Sequence, residues 1–170
     1  MPGVYSIQCL CFVAAATAGP AIPTGPTAVT IKTAAGDYVR NDNTPAAATV
    51  SSGTGTTNPE KYLFYDPANT ASNAPIQPGQ PAILKSVQTG QYCRLTACPG
   101  AAAAKCMVCD QATAATASSF EYTGSGLSFD HVPMVSAGPG KPLVLGGAVA
   151  SPSSVKLTFT GGLNVWTPAR

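Results

Sequence analysis

The chain has 170 residues, of which nine are Lys or Arg and seven Asp or Glu, so it carries a net charge of +2 and only 9% charged residues. That balance excludes the basic footprint of a nucleic-acid-binding surface, and no run of about 18 apolar residues offers a membrane-spanning helix. The length suits one domain, or one domain with an arm. With charge so far below the roughly 25% of an average soluble domain, solubility must rest on Thr and Ser hydroxyls, on attached sugar, or on burial in an assembly.

The chain opens with MPGVYSIQCLCFVAAATAG, which holds no charged residue; the first is Lys32. It resembles a signal peptide in its apolar run and small-residue end, but lacks the basic start. From Tyr5 the odd positions read Tyr5, Ile7, Cys9, Cys11, Val13, an apolar face of period two that predicts a strand. The Pro-punctuated AGPAIPTGPT follows, which divides the chain into an N-terminal arm with its linker (1–27) and an all-β domain (28–170). Two fates fit the arm: an edge strand of its own domain, or a strand laid on a neighbouring subunit. Cys9 and Cys11 then either pair with another chain or pack as small apolar groups.

Beyond the arm the sequence repeats weakly. AVTIKTAAGDYVR (28–40) matches PAILKSVQTGQYCR (81–94) at Ile31/Leu84, Lys32/Lys85, Gly36/Gly90, Tyr38/Tyr92 and Arg40/Arg94. A degenerate third copy, VPMVSAGPGKPLVLGG (132–147), has Leu143 in the place of the tyrosine. Aromatic-bearing strands follow each copy: KYLFYD (61–66), SFEYTG (119–124) and KLTFTG (156–161). Pro and Gly interrupt every helical pattern, and QATAATASS reads as loop or extended chain. Three units, 28–66, 81–124 and 127–161, predict a β-trefoil-like barrel with three hairpins, with a β-sandwich as the alternative. Leu63, Phe64, Phe120, Tyr122, Leu157 and Phe159 are the expected core.

Four of the six cysteines nest within QYCRLTACPGAAAAKCMVCD, Cys93 with Cys109 outside and Cys98 with Cys106 inside. Antiparallel strands flanking a loop tip at PGAAAAK would bring both pairs into disulfide geometry. A four-thiolate zinc site is the rival for that spacing. Disulfides imply an oxidising compartment and hence secretion.

The Thr/Ser/Pro/Ala-rich loops between units match O-glycosylated segments in composition, and bare polar loops match equally. No N-x-S/T acceptor is present: Asn43 precedes Thr-Pro, Asn58 precedes Pro and Asn69 precedes Thr-Ala. Catalysis has little support. The one histidine, His131 beside Asp130, has no nucleophile motif to serve. The carboxylates Asp37, Asp42, Glu60, Asp66, Asp110 and Glu121 form no pair suited to glycoside hydrolysis. The chain therefore reads as a non-enzyme without cofactor or metal. Its alternative to a structural role is sugar binding, with Asp37 and Tyr38, Gln91 and Tyr92, and Trp166 as the aromatic and polar contacts.

Over residues 79–147 the run GQPAILKSVQTGQYCRL, MVCDQ, the YTG-G-LS turn and the PG-PL-L ending resembles a group of uncharacterised secreted proteins of green algae. The resemblance implies an extracellular location and an Ala/Pro/Thr-rich, matrix-type protein without an assigned activity or ligand. It pairs Cys93 with Cys109, leaves Cys98 and Cys106 as an extra pair, and does not extend to the arm. The expectation is a secreted subunit that self-assembles into a fibril or matrix, its partner being another copy of itself.

Overall fold

The computed structural model describes residues 19–33, 35–42, 47–52, 55–124, 126–146 and 153–159, with Ala102 and 153–159 as backbone alone. Tyr5, Ile7, Cys9, Cys11, Val13 and Trp166 lie outside the described residues. The described chain is all-β. Its strands are β1 (Val29–Thr33), β2 (Tyr38–Arg40), β3 (Thr49–Ser51), β4 (Lys61–Tyr65), β5 (Pro81–Ser86), β6 (Tyr92–Cys98), β7 (Ala101–Gln111), β8 (Phe120–Tyr122), β9 (Leu127–Phe129), β10 (Val132–Ser136), β11 (Val144–Leu145) and β12 (Ser153–Phe159). They form one large antiparallel sheet.

The pairings close a circuit: β12–β1–β4–β5–β8–β9–β10 and back to β12. An odd circuit of antiparallel pairs requires one member to turn a corner. That member is β10, whose Val132 and Pro133 pair with β9 while Met134, Val135 and Ser136 pair with β11 and β12. The proline falls at the change of partner, where its missing N–H leaves the ladder unharmed. Before the corner, Asp130 and His131 form a two-residue turn with φ of 48° and 63°, the backbone that closes a tight hairpin in register with right-handed strand twist.

Burial alternates along β4 and β8, which gives each an inner and an outer face. Tyr62 and Phe64 of β4 are fully buried, as are Val29 and Ile31 of β1, Leu84 of β5, and Phe120 and Tyr122 of β8. Leu63, expected in the core, is instead half-buried on the outer face opposite Lys85. Tyr62 takes its inner place. A strand with five bulky residues in a row does not reveal its parity, and the register to Val29 decides it. Leu157 and Phe159 stand in register with the buried Ile31 and Val29, but their side chains lie outside the described ones.

At one end of the circuit three hairpin segments meet. The Ala48 N–H donates to the Met107 carbonyl (2.9 Å), Met107 N–H to Leu143 (3.1 Å) and Leu143 N–H to Ala48 (2.8 Å). All three residues are fully buried. This triangle makes Leu143 the counterpart of Ala48 and Met107, one strand later than its sequence match to Tyr38 and Tyr92. The β6–β7 hairpin is longer than its counterparts, and Ala101 already belongs to β7, so its tip is only Pro99–Gly100 rather than PGAAAAK.

The opposite end is closed by the Pro-rich segment that precedes β1. Ile22 exchanges two backbone hydrogen bonds of 2.9 Å with Ile76 and is fully buried in the core. The Thr24 hydroxyl donates to the carbonyls of Ser72 and Ala74 (3.2 and 3.0 Å). Gly19 approaches Gly124 so closely that a Cβ on it would overlap the Gly124 carbonyl. Residues 19–25 are thus built into the body.

Two buried tyrosines differ in what their hydroxyls meet. The Tyr122 hydroxyl donates within this closure, to the carbonyls of Pro20 and Gly124. The Tyr62 hydroxyl has no partner, and burial, followed by the nearby Asp42 charge, pushes its pKa far up. Removing an unsatisfied buried group is near neutral or stabilising, whereas removing a used one costs about 1–2 kcal/mol. Tyr62→Phe is therefore expected to leave the urea midpoint unchanged or raise it, and Tyr122→Phe to lower it. The opposite order in denaturation curves would contradict the assignment.

Candidate functional site: the disulfide hairpin and the lysine–tyrosine corners

β6 and β7 carry both disulfides, Cys93–Cys109 and Cys98–Cys106. Cys93 and Cys109 face one another in register and belong to the main core. Cys98 and Cys106, with Cα atoms 5.0 Å apart, join Val135 and Val144 in a smaller cluster against which Ala47 and Ala104 pack. Both pairs are oxidised, which corrects the zinc alternative and agrees with an oxidising compartment. Among the described residues no three His, Cys, Asp or Glu side chains group as metal ligands, and no described helix is long and apolar enough to cross a membrane.

The same hairpin holds the best-formed ion pair. Arg94 Nε and Nη2 donate to the two Asp110 oxygens at 2.8 Å each, and Gln111 Nε2 adds a third bond at 2.7 Å. The Arg94 hydrogen bonds hold the Asp110 carboxyl below its ordinary range against a smaller opposing effect of burial. On the outer edge of β6, Leu95 N–H donates to the Ser118 hydroxyl (2.8 Å) and Ser118 N–H to the Cys93 carbonyl (3.0 Å), which fastens the following loop.

The residues expected to contact sugar separate into two corners, one in each matched unit. In the first, Asp37 and Tyr38 follow the β1–β2 turn. Lys32, paired in register with Tyr38, places Nζ 4.5 Å from that ring's centre. Gly55 lies against the ring so tightly that any Cβ there would overlap it. In the second, Lys85 pairs with Tyr92 and sets Nζ 5.0 Å from its ring, and Tyr65 packs tilted against Tyr92 at 6.0 Å. With its amide turned so that both ends are satisfied, Gln91 donates to the carbonyls of Asp110 and Gln111, both at 3.2 Å. Gln91 is thereby engaged inside the domain. Tyr38 and Tyr92 occupy the same structural corner, built by a cation over an aromatic face.

Lys32 and Lys85 stood out from sequence only as a matched repeat position, not as partners of the tyrosines, although the Lys/Tyr spacing shared by both copies already encodes the corner. Tyr65 had no such signal, because it arrives from β4. Its hydroxyl pKa is raised by burial and then by Tyr92.

His131 is exposed on its turn, with Nδ1 3.1 Å from Glu121 Oε2, an oxygen that also accepts from the Ser128 hydroxyl at 3.4 Å. A cleft of about 180 Å³ is lined by Asp66, Pro75, Ile76, Gln77, Gln80 and Pro81, below the roughly 300–1,000 Å³ of small-molecule sites. Its polar groups serve the loop: Gln80 Oε1 accepts from Gln77 N–H (2.7 Å) and Asp66 Oδ1 from Ala68 N–H (2.8 Å).

Two tests follow from the hairpin. Replacing Cys93 and Cys109 together by Ala is expected to cost about 3 kcal/mol by the chain-entropy argument. Replacing Cys98 and Cys106 costs less, because the loop is shorter and the cluster smaller; urea denaturation reads both. Asp110 has a native pKa below its unfolded one, so its contribution is complete above the ordinary carboxylate range and is lost as pH falls through the native value. The melting-temperature gap between the native chain and Asp110→Asn should therefore be full at neutral pH and close in strong acid. A gap independent of pH would refute the pairing's role.

No family model, curated protein or solved structure matches the chain.

Proposed function

We propose that the chain is a secreted structural subunit on a β-trefoil framework, which self-assembles into an extracellular fibril or matrix. The strand Tyr5–Val13 of one copy docks on the next. The observation that carries this reading is the anchorage of residues 19–25. Ile22, Thr24 and the Gly19–Gly124 approach fasten the chain where the uncharged segment begins, so that segment starts from a fixed point at the end opposite the three hairpins. Among the described residues β1, β4, β5 and β8 already have strand neighbours on both sides, which favours a neighbour as acceptor over an edge of the same circuit.

Three hairpins tied by the Ala48–Met107–Leu143 triangle support the trefoil over the sandwich, which has no threefold element. The disulfides suit an oxidising, extracellular setting of the algal matrix type, and the Thr/Ser/Pro-rich loops suit O-linked sugar. Donation of an arm from one copy to the next is heterologous and yields a ring or an open helical filament.

A lectin-like carbohydrate-binding module is the second reading, favoured by the half-buried Tyr38 and Tyr92 at equivalent corners of two units. Lys32 and Gly55 cover the Tyr38 ring, which weakens it as a stacking platform.

Removal of residues 1–18 is expected to abolish fibrils in negative stain while leaving the melting temperature unchanged. Removal through Gly25 should also lower stability by about 2–5 kcal/mol, since it deletes the buried Ile22. Fibrils of normal appearance from the chain without 1–18 would overturn the assembly reading, and binding of a neutral glycan lost on Tyr92→Ala would favour the lectin.

A further inference from the structure

The four consecutive circuit strands β12, β1, β4 and β5 contain four lysines, Lys156, Lys32, Lys61 and Lys85, and no Asp or Glu. The register places all four on the outer face. Lys32 stands directly opposite Lys156. Lys61 stands opposite Thr30, two residues from Lys32 along β1, and Lys85 opposite Leu63, two residues from Lys61 along β4. Each such diagonal step is about 7–8 Å. The lysines therefore form an oblique band across four strands.

Three features mark this band. It gathers four of the nine basic residues of a chain that has little charge to place. Lys32, Lys61 and Lys85 take part in none of the described ion pairs, which are Arg40–Asp42, Arg94–Asp110 and His131–Glu121. Finally, two lysines stand in register across one β-pair, a residue pairing that like charge disfavours. Lys32 and Lys85 are moreover held over the Tyr38 and Tyr92 rings, which fixes the ammonium groups without neutralising them.

We propose that the outer face of β1, β4 and β5 binds an acidic polysaccharide, whose carboxylate or sulfate groups pair with Lys32, Lys61 and Lys85, with Lys156 in register beside Lys32. An extended polyanion fits an oblique band of lysines spaced by the strand register. The disulfide-forming compartment and the net charge of only +2 favour a glycan over a nucleic acid. The site lies on the strand faces and not on the arm, so it holds whether or not the assembly reading does.

The test measures binding of the full chain to immobilised dextran sulfate, polygalacturonate, neutral dextran and a single-stranded oligonucleotide across a salt series. The native chain should bind at least one of the two acidic polysaccharides in a salt-sensitive way, bind the oligonucleotide more weakly, and ignore neutral dextran; which acidic polymer binds identifies sulfate or carboxylate. The double variant Lys32→Gln/Lys85→Gln should lose about tenfold in affinity. Lys105→Gln/Lys141→Gln, which removes the same charge elsewhere, should lose less than about twofold. Lys32→Arg/Lys85→Arg should retain binding, which separates lost charge from lost fold. Equal losses in the two Gln doubles, equal or tighter oligonucleotide binding, retention on neutral dextran, or no salt-sensitive binding to either polyanion would each overturn the proposal.

Discussion

Three backbone hydrogen bonds hold the arrangement of everything else. The Ala48, Met107 and Leu143 amides close a ring of donors and acceptors inside an apolar interior. Leaving any one of these groups unpaired there would cost about 1–3 kcal/mol. No hairpin can therefore leave without orphaning its two neighbours, and the three units must settle together. The contact is made by main chain alone, so it accepts side chains as different as Ala, Met and Leu. That freedom let unit two grow a long, doubly stapled hairpin while unit three kept a two-residue β11.

The same freedom decides what the sequence could reveal. The Lys32/Tyr38 and Lys85/Tyr92 match was legible because a cross-strand cation over a ring needs both residue types at fixed spacing from the turn. The aromatic strands at 61–66 and 119–124 were legible because their residues fill the core. The position of Leu143 was not, because a backbone triangle prescribes no side chain. Leu63 and Tyr62 exchanged faces because both are bulky, and only the pairing with β1 and β5 distinguishes them. The role of Ile22 was hidden by the prolines around it, which read as a linker yet suit a segment that crosses the open end without joining a ladder. For the arm and Trp166 the question stays with the sequence, since both lie outside the described residues.

With so few charges, polar groups are used locally. Glu60 is 1% exposed, and its carboxylate is satisfied within its own turn, by the Thr57 hydroxyl at 2.9 Å and the Thr57 N–H at 3.4 Å. Arg94 and Asp110 close on one another across a single hairpin. Such short-range pairing uses both described arginines, whereas Lys32, Lys61 and Lys85 gather on one face without a described ion pair.

That region lies on the strand pair that closes the circuit, where Lys32 faces Lys156, and the magnitudes show why closure tolerates it. Like charges opposed on a solvated face are worth roughly 0.2–1 kcal/mol, reduced further by salt over a Debye length of about 8 Å. On the inner side of β1, Val29 and Ile31 are fully buried, and burial of each contributes about 1.5–3 kcal/mol. The apolar face therefore sets the register and carries the lysines into opposition with it. A shift by one residue would separate the charges, but it would also turn Val29 and Ile31 outward. The pairing of Lys32 with Lys156 is thus a consequence of burying Val29 and Ile31, and not a term that the register was chosen to satisfy.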